Sequence, residues 1–250
     1  MTDTVERFSN RVENYVKYRP DYPHEIIPFL TENCGLTRES VIADIGCGPG
    51  ISSRMFLENG NRVLGIEPNA AMRAAAEVSL GNLDFWVMDG RSDDTGLDDA
   101  SVDMVVAAQA FHWFNPETTR REFRRILRPG GYVVLIWNER QLDTTPFLVE
   151  YEKLLIKYAY DYGNVRHENI HQKELSDFYR SEYGSATFEN FQDFDFDGLK
   201  GRMLSASYMP NENDGVFAEM MKELQALFAK HAENGRIKVF YDTKVYFSRI

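Results

Sequence analysis

The sequence predicts an α/β fold in which a doubly wound, mainly parallel sheet of seven strands carries helices on both faces. Short apolar runs alternate with segments of helical periodicity over residues 41–137, a pattern typical of strands joined by crossover helices. The pattern changes after the fifth strand, and residues 138–188 are predicted as a helical insertion over the active site. A long alternating segment at 237–250 predicts a last strand that runs antiparallel beside the fifth.

Length and composition favour one domain, 1–250, built on a full core. The chain has 250 residues, 43% of them hydrophobic, which is enough apolar material for one large α/β domain. Its net charge of -11 and pI near 5.0 argue against nucleic acid and membrane partners, because an acidic surface repels phosphates. We therefore expect a small-molecule substrate, and the sequence leaves the oligomeric state open.

Cysteine usage and the first residues predict a cytoplasmic protein. Cys47 lies inside a glycine-rich turn that a disulfide to Cys34, the other cysteine, would distort. The segment MTDTVERFSN at 1–10 lacks the apolar stretch of a signal peptide, and no apolar run reaches membrane-spanning length.

The segment VIADIGCGPG, residues 41–50, predicts a buried strand, a glycine-rich turn and a helix start. Gly46 can adopt a positive φ, while Gly48 and Gly50 keep side chains out of the turn. Asp44 stands at the strand's end, where its carboxylate can reach over the turn. This arrangement favours ligand binding over the alternative, an ordinary strand–helix connection that happens to be rich in glycine.

Acidic residues also follow the second and third predicted strands. Strand 62–66, after a helix at 51–59, ends at Glu67, about twenty residues past the first glycine, where an acid can accept hydrogen bonds from both hydroxyls of a ribose. Strand 83–88 ends at Asp89, placed to accept a hydrogen bond from an adenine amino group. The aspartates that follow at 91–100 do not match a calcium loop and predict a solvated loop instead.

The fourth strand, 102–108, leads into His112 and Trp113 at the edge where open α/β sheets place their ligands. A lone histidine is often structural, so a structural and a functional role for His112 both stay open. The arginine-rich helix at 118–127 is predicted to present a solvated face, and a tight turn at 128–131 precedes strand 132–137.

Before and after the segment in which strands and helices alternate, the sequence pattern predicts mainly helices. Residues 1–33 predict two helices broken by Pro20 and Pro23, which form either a lid over the glycine turn or a packed arm. His167 and His171 share a helical face, but two histidines without a third ligand are a weak metal site. The remaining predictions are helices at 70–78, 147–158, 199–208 and 216–231 and a strand at 191–196.

Five segments in this order resemble the successive motifs of class I S-adenosylmethionine-dependent methyltransferases. They are DIGCGPG at 44–50, GIEPN at 65–69, DG at 89–90, VDMVVAAQAFHWF at 102–114 and LRPGGYVVLIW at 127–137. The resemblance covers about residues 15–140, and the remainder agrees by strand pattern only. YRPDYP at 18–23 and AFHWF at 110–114 are similar to the branch that includes trans-aconitate methyltransferases.

This resemblance implies S-adenosylmethionine as cofactor, S-adenosylhomocysteine as product and no metal. It implies that the methionine part is wrapped by Asp44, Gly46, Gly48 and Gly50. It implies a ribose bound by Glu67 and an adenine beside Pro68, Asn69, Met72, Asp89 and Gly90. It further implies that Gln109 and Ala110 line the sulfonium side, and that Tyr18 and Arg19 close the pocket.

The acceptor's chemistry decides what catalysis requires. A hydroxyl or ammonium acceptor needs a general base, for which His112 is the first candidate. A carboxylate acceptor needs none, and Arg19 would then pair with its charge. Tyr18, Trp113 and Trp137 are the expected substrate contacts.

Two alternatives to a methyltransferase stay open. A nicotinamide-dependent oxidoreductase would need G-x-G-x-x-G, but Ile51 stands where a pattern begun at Gly46 needs its third glycine. Begun at Gly48, the pattern meets the small residue Ser53, so the exclusion is incomplete. The second alternative is a protein that binds S-adenosylmethionine without turning it over.

Overall fold

The computed structural model describes residues 12–160, 172–206 and 208–250. The predicted histidine pair His167 and His171 lies outside these ranges. Within them the elements follow in the order α1 (Val12–Tyr18), α2 (Ile26–Cys34), β1 (Val41–Ile45), α3 (Ile51–Asn59), β2 (Arg62–Ile66), α4 (Ala70–Leu80), β3 (Phe85–Met88), β4 (Val102–Ala108), a 3₁₀ turn (Phe111–Trp113), α5 (Pro116–Ile126), β5 (Leu127–Arg140), α6 (Pro146–Tyr158), α7 (Gln172–Tyr179), β6 (Gly184–Phe194), α8 (Phe196–Leu204), α9 (Phe217–His231) and β7 (Ile237–Ser248).

The seven strands form one sheet in the order β3-β2-β1-β4-β5-β7-β6. The pairs β1–β2, β1–β4, β2–β3 and β4–β5 are parallel, and the last strands run antiparallel. The predicted fold class is therefore confirmed, including the place of the last strand beside the fifth. Because the first five strands are parallel, their carboxyl ends lie at one edge of the sheet.

Several helices begin at a side chain that accepts hydrogen bonds from the first free backbone N–H groups. Asn69 accepts from the backbone N of Ala71 and Met72 at the start of α4. Asn115, Thr145 and Asp195 do the same for α5, α6 and α8. Caps of this kind fix where the chain turns from strand end to helix, and so fix the connections at the strand edges.

Several boundaries differ from the predictions, among them those of β5, β6 and α8. Strand β5 starts at Leu127, because the predicted turn at 128–131 is a bulge within the pairing, with Gly130 at φ 87°. Strand β6 runs over 184–194 because its residues alternate between inner and outer faces well before 191. Helix α8 starts at Phe196 because the Asp195 side chain caps it, so the predicted strand 191–196 ends earlier.

The chain divides into two compact units. Of the described residues, the larger unit comprises 21–138, 172–188 and 243–250. Its central strands β1, β4 and β5 are buried on both faces, with one layer around Ile26, Leu30 and Phe56 and another around Phe123 and Phe178. Burial on both faces explains why these strands read as continuous apolar runs in the sequence.

Of the described residues, the smaller unit comprises 12–20, 139–160, 189–206 and 208–242. Helix α6 packs against α9 around Leu148, Tyr151 and Leu224, all buried. Helix α1 packs against α8, where a Cβ on Gly201 would lie only 2.1 Å from the Tyr18 ring. The described helices of the predicted insertion thus fall in different units, α6 here and α7 in the larger one, while the single domain and the lid stay predictions.

Candidate active site at the carboxyl ends of the strands

The glycine turn leaves β1 in a conformation that L side chains rarely adopt. Gly46 has φ 70° and donates its backbone N–H to Ile66 O at 2.7 Å, which ties the turn to β2. A Cβ on Gly46 would lie 2.7 Å from the Cβ of Ala110, so no larger residue fits there. Gly48, at φ 56°, faces open space, since an added Cβ would meet no atom within 4 Å. The turn therefore presents bare backbone, with open space beside Gly48.

Gly50 serves packing rather than ligand access. An added Cβ would lie 2.3 Å from Leu80 Cδ1, so its missing side chain lets α4 approach the start of α3. In the sequence the three glycines look equivalent, whereas in the structure Gly50 allows the contact between α3 and α4.

Asp44 is fully buried at the end of β1 and uses only half of its carboxylate. Its Oδ2 accepts hydrogen bonds from Ser52 Oγ at 2.6 Å and Ser53 Oγ at 2.7 Å. Its Oδ1 is buried and has no hydrogen-bond partner among residues 12–160, 172–206 and 208–250. Burial raises the pKa of Asp44 to about 6, and the two serine hydroxyls counteract the rise. A buried carboxylate oxygen without a hydrogen-bond partner can accept a hydrogen bond from a donor or cationic group of a ligand. Such a partner is favoured because a buried acceptor that makes no hydrogen bond costs free energy.

Sequence reasoning missed Ser52 and Ser53. Both lie in the first turn of α3, directly after the glycine turn, and both are buried. Two adjacent small hydroxyl residues at a helix start beside a buried acid were the available signal.

Glu67 is nearly buried at the end of β2 and braces the glycine turn. Its Oε2 accepts from the backbone N–H of Gly48 at 3.0 Å, and its Oε1 accepts from the N–H of Asn69 at 2.8 Å. Burial raises the pKa of this carboxyl, and the two backbone N–H groups oppose the rise. Each oxygen keeps a second acceptor position, so Glu67 can still bind ligand hydroxyls.

Arg73 contacts both Glu67 and Asp89, the second and third of the strand-end acids. Its Nη1 donates to the carbonyl of Glu67 at 2.7 Å and to Asp89 Oδ1 at 3.1 Å. The Asp89 side chain is 73% exposed, so most of its acceptor capacity faces solvent. The structure therefore brings Asp44, Glu67 and Asp89 to one edge around the glycine turn, and Arg73 is a member of the site that the sequence did not single out.

The remaining predicted adenine neighbours lie on the same strand ends. Asn69 and Met72 are buried at the start of α4, and Pro68 is half-buried beside them. Gly90 follows Asp89, and a Cβ there would lie 2.7 Å from Ile66 Cγ2, which requires glycine. Their contact with an adenine stays a prediction.

The end of β4 is held by an amide network. Gln109 has φ 54°, a strained value for a residue other than glycine, and its Oε1 accepts from the backbone N–H of Asn138 at 3.0 Å. Asn138 is buried, donates from Nδ2 to the Asp21 carbonyl and accepts from the Thr243 hydroxyl. The network fixes the backbone between Gln109 and Ala110 at the predicted sulfonium side, and Asn138 is another residue that sequence reasoning missed.

His112 and Trp113 stand in the 3₁₀ turn after β4, with ring centroids 4.7 Å apart. The Trp113 side chain is 40% exposed and so offers an aromatic surface to a ligand. Trp137 is only 1% exposed and packs edge-on against Phe111 and Tyr246. Its burial favours a core role, and substrate contact for Trp137 stays a prediction.

Tyr18 and Arg19 belong to the smaller unit. The Tyr18 ring covers Gly201, and its carbonyl accepts from Gln192 Nε2 at 3.1 Å. Arg19 Nη2 donates to the Ser205 carbonyl at 3.1 Å. Their predicted part in closing the cofactor pocket stays a prediction.

Metal-binding geometry is absent from residues 12–160, 172–206 and 208–250, where no three His, Cys, Asp or Glu side chains gather as ligands. The expectation of a metal-free site stays a prediction. In the same ranges no helix combines the length and the apolar character needed to cross a bilayer.

Comparisons with known proteins agree with this geometry. Residues 43–135 match the family described as methyltransferase domain. A protein of Schizosaccharomyces pombe described as uncharacterised and methyltransferase-like is 30% identical over 158 residues, 63% of this chain and 60% of that protein. One of Saccharomyces cerevisiae, named a probable S-adenosylmethionine-dependent methyltransferase, is 32% identical over 155 residues, 60% of this chain and 51% of that protein. The matches thus span about half to three fifths of these relatives' length.

Among solved structures, a proposed type II methyltransferase from Anaeromyxobacter dehalogenans has a TM-score of 0.73, with 23% identity over 93% of this chain and 98% of that one. At 23% identity, this structural similarity shows a shared fold and nothing further about function. Residues 43–135 are thus similar to the methyltransferase domain family, and the chain as a whole has the fold of that solved structure.

Proposed function

We propose that this chain transfers a methyl group from S-adenosylmethionine to a small-molecule acceptor. The observation that carries the proposal is the buried Asp44, whose Oδ1 has no hydrogen-bond partner in the described part of the chain and lies beside a glycine turn with open space at Gly48. Glu67 and Asp89 stand at the next two strand ends of the same edge, in the positions that suit a ribose and an adenine.

The chain's own residues bind and orient the cofactor. Asp44 would accept a hydrogen bond from the ammonium group of the cofactor. Glu67 would accept hydrogen bonds from the ribose hydroxyls, while the hydrogen bond from the Gly48 N–H holds the Glu67 carboxylate in place. The bound cofactor supplies an electrophilic methyl group on a sulfonium whose sulfur leaves as a neutral thioether. Gln109 fixes the backbone at the reacting side through Asn138. Orientation of this kind contributes roughly 7–11 kcal/mol to lowering such barriers.

We further propose that the acceptor atom belongs to a carboxylate or a hydroxyl group. A hydroxyl acceptor would lose its proton to His112, which stands beside the exposed Trp113. A carboxylate acceptor would be held through Arg19. The resemblance of YRPDYP at 18–23 and AFHWF at 110–114 to the branch that includes trans-aconitate methyltransferases supports the second choice.

Titration calorimetry with S-adenosylmethionine and S-adenosylhomocysteine tests the cofactor part. We expect micromolar affinity for both and no binding of NADH. Glu67→Ala should weaken binding at least tenfold, because it removes the ribose acceptor and a brace of the turn. Glu77→Ala, on the exposed face of α4, is the matched control and should bind as the wild type does. Equal affinity in wild type and Glu67→Ala would contradict the assignment.

Turnover separates an enzyme from a binding protein. A metabolite extract incubated with methyl-labelled S-adenosylmethionine should yield labelled product with wild type and little with Glu67→Ala. Tight cofactor binding without labelled product from any acceptor class would favour a non-catalytic role.

A further inference from the structure

Arg73, near the start of α4, connects the ends of two strands that carry acids of the candidate site. Its Nη1 donates to the backbone carbonyl of Glu67 at 2.7 Å and to Asp89 Oδ1 at 3.1 Å. Glu67 directly follows β2, and Asp89 directly follows β3. A single guanidinium nitrogen on a helix therefore holds groups from both strand ends.

The backbone that carries Asp89 is fixed without the help of Arg73. The N–H of Glu67 donates to the carbonyl of Met88 at 3.1 Å, which extends the pairing of β2 and β3 up to the residue before Asp89. On the other side, a Cβ on Gly90 would lie 2.7 Å from Ile66 Cγ2, so the chain packs closely there. The Asp89 side chain, which is 73% exposed, is the part that still has rotational freedom.

Stability alone is a poor reason for an arginine at this place. An ion pair whose acid is 73% exposed contributes little to the free energy of unfolding, because water and salt compete with it. Orientation is a second effect of the same contact. A side chain that already occupies the rotamer it needs for binding loses less conformational entropy when the ligand arrives.

Arg73 also acts on Glu67 through its charge. Burial raises the pKa of this carboxyl, while the backbone N–H groups of Asn69 and Gly48 and the charge of Arg73 oppose the rise. An ionised carboxylate only accepts hydrogen bonds, whereas a protonated one also carries a donor. Arg73 thus favours an acceptor at Glu67 and orients an acceptor at Asp89.

An acceptor at Asp89 distinguishes purines by the group at position 6. A 6-amino purine such as adenine presents a donor there, whereas a 6-oxo purine such as hypoxanthine presents an acceptor. A 6-oxo group placed against a carboxylate oxygen gives up its hydrogen bonds to water and gains none in return. Sites built around one hydrogen bond reject analogues in this way more strongly than apolar pockets do.

We propose that Arg73 is a positioning residue that holds Asp89 where this acid selects a 6-amino purine over a 6-oxo purine. The bond from Arg73 uses Oδ1, which leaves Oδ2 to accept from the amino group of the base. In this role Arg73 acts through Asp89 and Glu67 and does not itself touch the base. The inference rests on the proposed function, because it takes the nucleoside of S-adenosylmethionine as the ligand of this edge.

Calorimetry on the full chain with S-adenosylhomocysteine and its 6-oxo analogue, S-inosylhomocysteine, tests the selection. The wild type should bind the adenosyl compound about tenfold or more tightly than the inosyl compound. Arg73→Met should lower this ratio about threefold or more, because Asp89 must then be ordered during binding and can turn away from a 6-oxo group. Its effect through Glu67 weakens both ligands alike and cancels in the ratio. Arg73→Gln, which is shorter and uncharged, should lower the ratio in the same way and serves as the second variant if Arg73→Met folds poorly.

Arg62→Met is the matched control. Arg62 Nε pairs with Asp84 Oδ1 at 3.2 Å, in an exposed arginine–aspartate pair at the opposite ends of β2 and β3. Its loss should leave both affinities unchanged. Asp89→Asn should lower the ratio further than Arg73→Met, because an amide can turn its NH₂ group toward a 6-oxo group.

The two proposals fail in different ways. No binding of S-adenosylhomocysteine by the wild type would overturn both of them. Binding that Glu67→Ala weakens, with the same ratio in wild type and in the Arg73 variants, would support the proposed function and overturn the role of Arg73. Equal wild-type affinity for both ligands, or an equal fall of the ratio in Arg62→Met, would overturn that role as well.

Discussion

The affinity for S-adenosylmethionine should depend on pH through Asp44. Its pKa is raised to about 6 by burial, and only the ionised form attracts a cationic ammonium group. At about pH 5 roughly one molecule in ten carries the charge, whereas at about pH 7.5 nearly all do. The affinity should therefore fall about tenfold between these conditions, or ~1.4 kcal/mol. The raised pKa of Glu67 acts in the same direction.

Without ligand, the free energy of unfolding should change with pH in the opposite direction, because the Asp44 carboxyl stabilises the free protein more at low pH than at high pH. The folded pKa of Asp44 lies above its ordinary value of 3.8, so its contribution to stability is fully present below about pH 4 and is lost as the pH rises through about 6. The shift of about two units corresponds to a loss of about 3 kcal/mol. Asp44→Asn should thus stabilise the free protein at about pH 7.5 by up to that amount, and by much less at about pH 4.

Calorimetry across this pH range, with urea unfolding at both ends, measures the two effects. Asp44→Asn should bind S-adenosylmethionine weakly and with a smaller pH step, to which the raised pKa of Glu67 still contributes. Ser52→Ala should move the step to higher pH, because it removes a hydrogen bond that favours the ionised form. An Asp44→Asn variant that keeps the whole tenfold pH step, or that is less stable than the wild type at about pH 7.5, would refute the reasoning.

Three further predictions follow from other contacts. Gly46→Ala should destabilise the protein by about 2–4 kcal/mol in urea unfolding, because it combines a positive φ with a clash against Ala110. The control is Gly96→Ala, at φ 71° with open space around it, which should show the cost of backbone strain alone. Tyr179→Phe should cost about 1 kcal/mol on the same assay, since its buried hydroxyl donates to the Tyr246 carbonyl at 3.0 Å, and no change would show that this bond contributes nothing. Amide hydrogen exchange in residues 12–23 should slow when S-adenosylhomocysteine is added if they act as a lid, and identical exchange would remove support for it.

Local signals located most of the larger unit correctly. Helix α3 and strands β1, β2 and β4 have the predicted bounds, because glycine turns, caps and continuous apolar runs act over a few residues. The strand-end acids Asp44, Glu67 and Asp89 came together as predicted, since parallel strands must share one carboxyl edge.

Side-chain partners at that edge could not be read from the chain. Ser52 and Ser53 look like ordinary helix residues, and Arg73 like a solvated one, until the fold brings them to Asp44 and Asp89. Gly50 looks like a ligand-facing glycine until Leu80 approaches from α4. Contacts over distances of this kind depend on helix packing, which periodicity alone does not specify.

The sequence by itself determined the parallel α/β core, the glycine turn and the order of acids along it, because each follows from short-range pattern and strand polarity. Only the tertiary structure decided which oxygen of the Asp44 carboxylate has no partner among the described residues. That depends on which polar groups burial leaves without a partner, and burial exists only once distant segments have packed together.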